Sequence, residues 1–429
     1  MLDPRWVREH AGEVRRAAVR KRIDADVDAF LREDRLHREV LQRLETLRAA
    51  QKARARAMAA LDPEARKRAL AGLGRDKAEL KRLEEEEQGL RRRVRALALR
   101  LPMPPAPGVP DGRDDGDNRE LRRCGSPPRF SFPSRSHVEI GERLGILDIP
   151  RGVRLAGTRN YLLAGDGALL EQAVLRLAVD HMLERGFRLV SVPALVQDAF
   201  MEGTGYYPGG EEQAYRIPGE GLSLIGTAEV CLTSLHAGEV LQEDDLPLRM
   251  VALSPCFRRE AGAAGRDTKG LYRVHQFWKV EQVVIGPARE DWSREEHQRI
   301  LEHATALLDR LGLPYRVVDV CTGDLGQGQV QKFDVETWMP SREAYGETHS
   351  ASRFHDFQAR RLNLRYRPSG GGKPLFCHTL NNTVVASPRI LIALLENFQE
   401  EDGGVIVPGA LRPYLGKDRL APAAAGVHS

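Results

Sequence analysis

The sequence predicts an α+β fold, a largely antiparallel sheet flanked by helices, with an antiparallel two-helix coiled-coil arm at the N-terminal end. Residues 27–101 contain one proline, Pro63, and are rich in Ala, Leu, Arg, Glu and Lys, a composition suited to long helices. Residues 102–135 are crowded with Pro, Gly, Asp and Arg and break that pattern. Beyond them, short apolar runs alternate with helical stretches and are joined by irregular loops. That favours antiparallel pairing over a doubly wound sheet with regular helical crossovers. The expected division is an arm domain over 1–104, a linker over 105–135 and a second domain over 136–429, in keeping with a length of 429 residues.

Two series with period seven define the arm. Leu73, Leu80, Glu87, Val94 and Leu101 form one, with Glu87 its polar break; Leu83, Leu90 and Leu97 form the other. Their offsets of three and four are those of a and d positions. A weaker stripe, Leu36, Val40, Leu44 and Leu47, precedes them, and Leu61-Asp62-Pro63-Glu64 marks a break with proline placed to start a new helix. Two helices folding back at a tip near 59–66 follow, each ~45 Å long at ~1.5 Å per residue. The cluster Pro102-Met103-Pro104-Pro105 ends the arm. In the second domain, Glu171–Arg185 reads as an amphipathic helix halted by Gly186, and Phe187–Val192 as a strand ending at Pro193. Arg249–Leu253 and Phe277–Ile285 read as strands and Ile390–Gln399 as a closing helix.

Composition removes several function classes. No apolar run approaches the ~20 residues that span a bilayer, and MLDPRWVREH has no apolar segment of the secretory kind. The five cysteines are scattered without a CxxC pair, so a disulfide framework or thiolate zinc site is not expected and a reducing compartment is. The net charge of +4 conceals a split: residues 1–101 hold 27 Lys/Arg and 18 Asp/Glu, 27 − 18 = +9, which leaves 4 − 9 = −5 for the rest. A basic module on an acidic body suits a polyanion bound by one part. On charge alone, a solvated helix face with no partner is the more ordinary reading.

Two glycine-rich segments do not carry nucleotide chemistry by their spacing. Gly370-Gly371-Gly372-Lys373 lacks the Walker pattern and is followed by Pro374, so it reads as a hairpin turn. Gly326-Gln327-Gly328 lacks the third glycine and the acidic partner of a dinucleotide fold. The densest polar stretch runs from Cys256 to Glu281. A strand ending in Arg258 and Glu260 leads through a charged loop to a second strand, on which Arg273, His275, Phe277, Lys279 and Glu281 alternate at period two and share one face. Cations, a carboxylate and an aromatic ring on one face suit a nucleotide, the ring stacking a base and guanidinium forks matching phosphate oxygens. His275 on a packed strand reads as structural, and Lys279 is open between the two roles.

The string Phe257-Arg-Arg-Glu-Ala-Gly through Gly270-Leu-Tyr-Arg-Val-His-Gln-Phe277 and Lys279-Val-Glu281 resembles motif 2 of class II aminoacyl-tRNA synthetases, in the form seen in bacterial-type seryl-tRNA synthetases. Gly226-Thr227-Ala228-Glu229 resembles that family's serine loop, and Gly186–Pro193 resembles motif 1, the dimer-forming element. Glu347-Thr-His-Ser350 with Asp356-Phe-Gln-Ala-Arg-Arg361 resembles the nucleotide and magnesium segment; His378–Thr383 with Pro388-Arg389 resembles motif 3. The N-terminal arm is also a family feature.

The resemblance implies activation of L-serine by ATP, with Mg2+, and transfer to tRNA-Ser, with tRNA-Sec left open. It implies a class II antiparallel sheet, a homodimer and a cytoplasmic location, with no membrane and no DNA partner. It implies that Arg258 and Arg389 are the catalytic cations and that Thr227, Ala228, Glu229, Glu281 and Thr383 form the serine pocket. ATP falls to Arg258, Arg259, Glu260, Val274, Phe277, Glu347, Thr348, His349, Ser350 and Arg389. Phe277 would stack the base opposite Arg389, and Glu347 and Ser350 would be the magnesium ligands. Only 40 residues follow Arg389, too few for an anticodon-binding domain, so tRNA is expected on the basic arm. That reverses the solvated-face reading. Thr383 stands where the family usually has Ser, and Asn160 where an aromatic is common. A paralogue serving biosynthesis or inhibitor resistance stays open; a catalytically silent RNA-binding homologue would have lost Arg258, Glu281 or Arg389, and all three are present.

Overall fold

Leucine and alanine at helical spacing, with no proline between Val27 and Pro63, let two helices run long. Val27–Met58 (α3) and Pro63–Ala98 (α4) pair as the arm, preceded by short helices Pro4–Glu9 (α1) and Ala11–Arg20 (α2). The computed structural model describes residues 1–58, 63–263, 265, 267 and 269–421. The expected tip near 59–66 lies partly outside them, and so does the side chain of Leu73. The seam buries Val40, Leu44, Leu83 and Leu90, with Leu47 and Leu80 packed beside them. Leu36 is corrected out of it: at 42% exposure it faces water, and His37 takes the seam position. There His37 Nε2 meets Glu87 Oε1 at 2.9 Å, so the polar break in one heptad series is answered from the facing helix. Exposed pairs such as Arg93–Glu33 and Arg48–Glu84 add at most ~1 kcal/mol each.

The chain divides into two compact units, Met1–Pro104 and Pro105 onward. Among the described residues of the second unit, eight strands make one sheet. They are Arg119–Cys124 (β1), Arg188–Leu189 (β2), Leu248–Phe257 (β3), Gln276–Gly286 (β4), Tyr315–Asp319 (β5), Gln331–Met339 (β6), Ala344–Arg353 (β7) and His378–Ala386 (β8). Their order is β1-β5-β6-β7-β8-β4-β3-β2, antiparallel except for the parallel β2–β3 pair. The stretch expected as a linker, 105–135, thus carries the edge strand β1, paired with β5. The strand expected over Phe187–Val192 shortens to β2.

The helices that position the site are His137–Leu144 (α5), Asp166–Leu183 (α6), Asp198–Thr204 (α7), Glu229–Ser234 (α8), Glu290–Leu311 (α9), Phe357–Leu362 (α10) and Ser387–Asn397 (α11). Period-two alternation on β4 separates the faces of the sheet. Val280 and Val284 enter the main core with Val174, Leu177 and Leu391 from α6 and α11. Val283 and Ile285 pack on the opposite face against Ala228 and Leu232. Further along that face, Phe277, Lys279 and Glu281 border a cleft. Gly370–Lys373 forms the turn between paired strands Arg365–Arg367 and Leu375–Phe376.

Candidate active site

Strands β4, β7 and β8 floor a cavity of ≈ 320 Å³, within the range of small-molecule sites. A register shift between Val280 and Glu281 brings Glu281 opposite Thr383 on β8. Glu281 is 2% exposed and ion-paired with Lys279. Thr383 Oγ1 donates to Glu281 Oε2 at 3.4 Å and accepts from Lys279 Nζ at 3.5 Å. A second carboxylate, Glu229, opens α8 and is gripped from both sides. Gln358 Nε2 donates to one oxygen and Tyr206 Oη to the other, each at 2.8 Å. The Gln358 amide is itself fixed, donating to Thr204 O at 3.0 Å and accepting from Thr379 Oγ1 at 2.6 Å. Burial, reinforced by the negative charge of Glu281, pushes the Glu229 carboxyl up to about 7.

Cations and rings border the same cavity. Arg258 Nε donates to Gly226 O at 3.3 Å, and its guanidinium lies 5.2 Å from the centre of the Phe277 ring. Arg389 donates to Tyr272 O at 3.1 Å and to Glu347 O at 2.7 Å, and covers the Tyr272 ring at 4.5 Å. The guanidinium nearest Phe277 is therefore that of Arg258, while Arg389 stacks on Tyr272. Glu260 holds Arg273 at 2.9 Å. Glu347 pairs with Arg389 at 3.2 Å with about half its side chain exposed. Burial pushes its carboxyl up, but Arg389 and Lys332 outweigh that and hold it below the ordinary value. Beneath it, Asp334 sits opposite Ser350 across β6 and β7, 3.3 Å from Lys332. Burial, partly offset by Lys332, sets Asp334 at about 7.

Comparison with known proteins decides what this cleft belongs to. Residues 1–105 match the seryl-tRNA synthetase N-terminal domain, and residues 215–398 the class II tRNA synthetase core domain for G, H, P, S and T. The serine–tRNA ligase of Deinococcus radiodurans is 48% identical, the match covering 97% of this chain and 98% of that one. The chain belongs to the seryl-tRNA synthetase family. The Rubrobacter xylanophilus serine–tRNA ligase is 44% identical over 99% of this chain and all of that one. A crystal structure of the Pyrococcus horikoshii seryl-tRNA synthetase complexed with ATP superposes with a TM-score of 0.91 at 36% identity, covering 99% and 100% of the two chains. A Naegleria fowleri cytoplasmic serine–tRNA ligase in complex with AMP gives 0.86 at 28%, covering 99% of each.

In this synthetase, eleven of the residues expected from sequence border the one cleft: Glu229, Arg258, Glu260, Val274, Phe277, Glu281, Glu347, Thr348, Ser350, Thr383 and Arg389. Four do not. Thr227 Oγ1 accepts from the Glu229 N–H at 3.2 Å and so braces the start of α8, and Ala228 is packed into the core behind it. Arg259 is exposed. His349 is buried, its Nδ1 2.8 Å from Thr348 Oγ1, and burial drags its imidazole down to about 4. His275 turns away to place Nδ1 2.9 Å from Arg258 O. Asn160 donates to the carbonyls of Ala156, Gly157 and Thr158, closing the end of a helix.

Other site residues were not named from sequence. Tyr206, Tyr272 and the Gly326–Gln329 loop border the cleft, and Gln358 anchors Glu229 from beneath. Gln358 and Tyr272 carry a signal, since they lie inside the Asp356–Arg361 and Gly270–Phe277 strings. Gly326–Gly328, set aside as a dinucleotide loop, nonetheless contributes wall.

Proposed function

We propose that the synthetase runs its reaction with the residues of this cleft in the following roles. The serine carboxylate attacks the α-phosphorus of ATP and pyrophosphate leaves; a 3′-terminal ribose hydroxyl of tRNA-Ser then attacks the seryl carbonyl and AMP leaves. Displacement between two anions needs positioning and charge neutralisation, not a side-chain nucleophile. Arg258 neutralises the attacking carboxylate and the α-phosphate; Arg389 serves the outer phosphates, and Phe277 and Val274 face the base. Glu281 and Glu229 receive the ammonium, and Thr383 with Glu281 receives the hydroxyl. An alanine side chain would leave the Glu281–Thr383–Lys279 network short of a partner, whereas threonine is opposed only by room for one methyl, a weaker discrimination of ~1–3 kcal/mol.

Glu347 and Ser350 would hold Mg2+. Their oxygens are hard donors, and the Asp334 carboxylate opposite Ser350 keeps one buried oxygen without a hydrogen-bond partner. Among the described residues no three His, Cys, Asp or Glu side chains converge as a closed cage, which suits an ion that takes much of its shell from phosphate and water. When bound, Mg2+ supplies positive charge to the phosphates.

The basic arm is our candidate for the tRNA-binding part, supported by its excess of nine positive charges. A homodimer joined through the motif 1 segment is supported by exposed Leu169, Leu183 and Leu189 on α6 and β2. We assign the work to the cytoplasm, where tRNA is charged. No described helix is long and apolar enough to cross a membrane. The observation that carries the reading is the meeting of the buried Glu229–Glu281 pair with Arg258 and Arg389 in one cavity. ATP–pyrophosphate exchange measured with each of the twenty amino acids tests it: serine should dominate, and exchange driven equally by another amino acid would overturn it.

A further inference from the structure

His137 opens α5, is 8% exposed and has both ring nitrogens engaged. Nδ1 lies 2.7 Å from Oε1 of Glu396 on α11, and the second Glu396 oxygen accepts the Ser341 backbone N–H at 2.9 Å. Nε2 accepts the backbone N–H of Leu271 at 3.1 Å. That second bond fixes the tautomer: a nitrogen that accepts an N–H must be bare, so Nδ1 carries the proton and donates it to Glu396. The approach is close as well as polar. Gly270 has φ +73°, and a Cβ there would stand 2.2 Å from Nε2, so only glycine lets the main chain settle on the ring. Leu271, 0% exposed, anchors in the main core on the other side.

The next two residues are walls of the cleft. Tyr272 carries Arg389 on its ring and on its carbonyl, and also Arg342, 4.1 Å from the ring centre. Arg273 pairs with Glu260. We infer that His137 is a positioning residue for the nucleotide: its bare Nε2 pins Leu271 and thereby sets where Tyr272 and Arg273 stand, while Glu396 holds the tautomer. Glu396 lies on the same helix as Arg389, so one imidazole ties the motif 2 return to the motif 3 helix. This rests on the ATP reading given above.

Two variants separate positioning from simple packing. In His137→Asn the amide nitrogen can replace Nδ1 toward Glu396, but nothing reaches Leu271. In His137→Gln the amide oxygen can replace Nε2 toward Leu271, and the Glu396 bond is lost. Pyrophosphate-exchange kinetics, thermal melting and amide hydrogen exchange of a peptide spanning 269–274 are read on the full chain. His137→Asn should raise the KM for ATP roughly five- to tenfold, the worth of one neutral hydrogen bond, with the KM for serine within about twofold and faster exchange at Leu271. His137→Gln should keep the ATP KM within about threefold of wild type. Gly270→Ala, which retains both His137 and Glu396, should reproduce the ATP effect and carries the test should His137→Asn not fold. An unchanged ATP KM in both His137→Asn and Gly270→Ala overturns the inference. So do losses of ATP and serine affinity that rise together with falling melting temperature in both His137 variants. A wild-type protein without serine-dependent exchange would instead sink the ATP reading, and hydrogen exchange at Leu271 would still judge the clamp.

Discussion

Replacing Glu281 by Gln preserves shape and removes one charge at the centre of the proposed serine pocket. Lys279 is 5% and Glu281 2% exposed, so the variant leaves a buried ammonium with, among the described residues, Thr383 and the more distant Glu229 to answer it. Breaking a buried pair from one side costs ~3–5 kcal/mol; the retained amide and the nearby Glu229 bring the expected stability loss to ~2–4 kcal/mol. Serine binding suffers separately. Its ammonium loses a charged hydrogen bond of ~1.5–3 kcal/mol and meets a cation that is no longer neutralised. Together these predict a fall of about 10²–10³ in kcat/KM for serine at ~1.4 kcal/mol per decade. The KM for ATP should move by less than about threefold, because no described contact joins Glu281 to Phe277, Arg389 or Glu347. Serine-dependent pyrophosphate exchange and thermal melting read the two effects. Adding Lys279→Met should recover most of the stability and none of the exchange. Exchange by Glu281→Gln within about fivefold of wild type, or a double variant no more stable than the single one, would refute the reasoning.

Glu229, raised to about 7 in the fold against an ordinary 4.5, binds more protons folded than unfolded between those values. Its contribution to stability should therefore fall as pH rises from 4.5 to 7 and level off above, and Glu229→Gln should shallow the slope in pH-resolved melts, leaving the share that Asp334, also raised to about 7, contributes over the same range. Because the serine ammonium favours the ionised form, kcat/KM for serine should fall as pH drops below about 7, while the KM for ATP should change little. Arg389→Lys keeps the charge but loses the flat stacking on Tyr272 and the forked donation to Tyr272 O and Glu347 O; exchange kinetics should show a loss of about tenfold or more, mostly in ATP. Deleting residues 28–100 should leave exchange intact and abolish tRNA-Ser charging, read by aminoacylation with labelled serine.

Legibility in the sequence followed locality. Phe277, Lys279 and Glu281 share a face because a strand alternates, and that much is written in their spacing. The arm was legible for the same reason, seven-residue repeats being a local code, although His37 rather than Leu36 fills the seam. The edge strand β1 was not legible: Arg119-Glu-Leu-Arg-Arg-Cys124 is exposed along nearly its whole length, so it shows no alternation and resembles a linker. Tyr206 and Asp334 reach the site from just beyond α7 and from β6, placed by tertiary packing that no window of sequence contains. Thr227 and Ala228 show the converse. They belong to the motif by position, yet their side chains serve the start of α8 and the core.

The pairing of His37 with Glu87 works as a vernier mark on the arm. Leucine seams are periodic, so without a distinctive notch one helix could creep along the other by seven residues and find an equally greasy fit. Such a slip would leave Glu87 facing Leu44 or Phe30 and strand His37 as well, which a half-dry seam opposes. The arm is thereby a calibrated rod, its two halves locked in one alignment, able to present whatever it carries at one set reach.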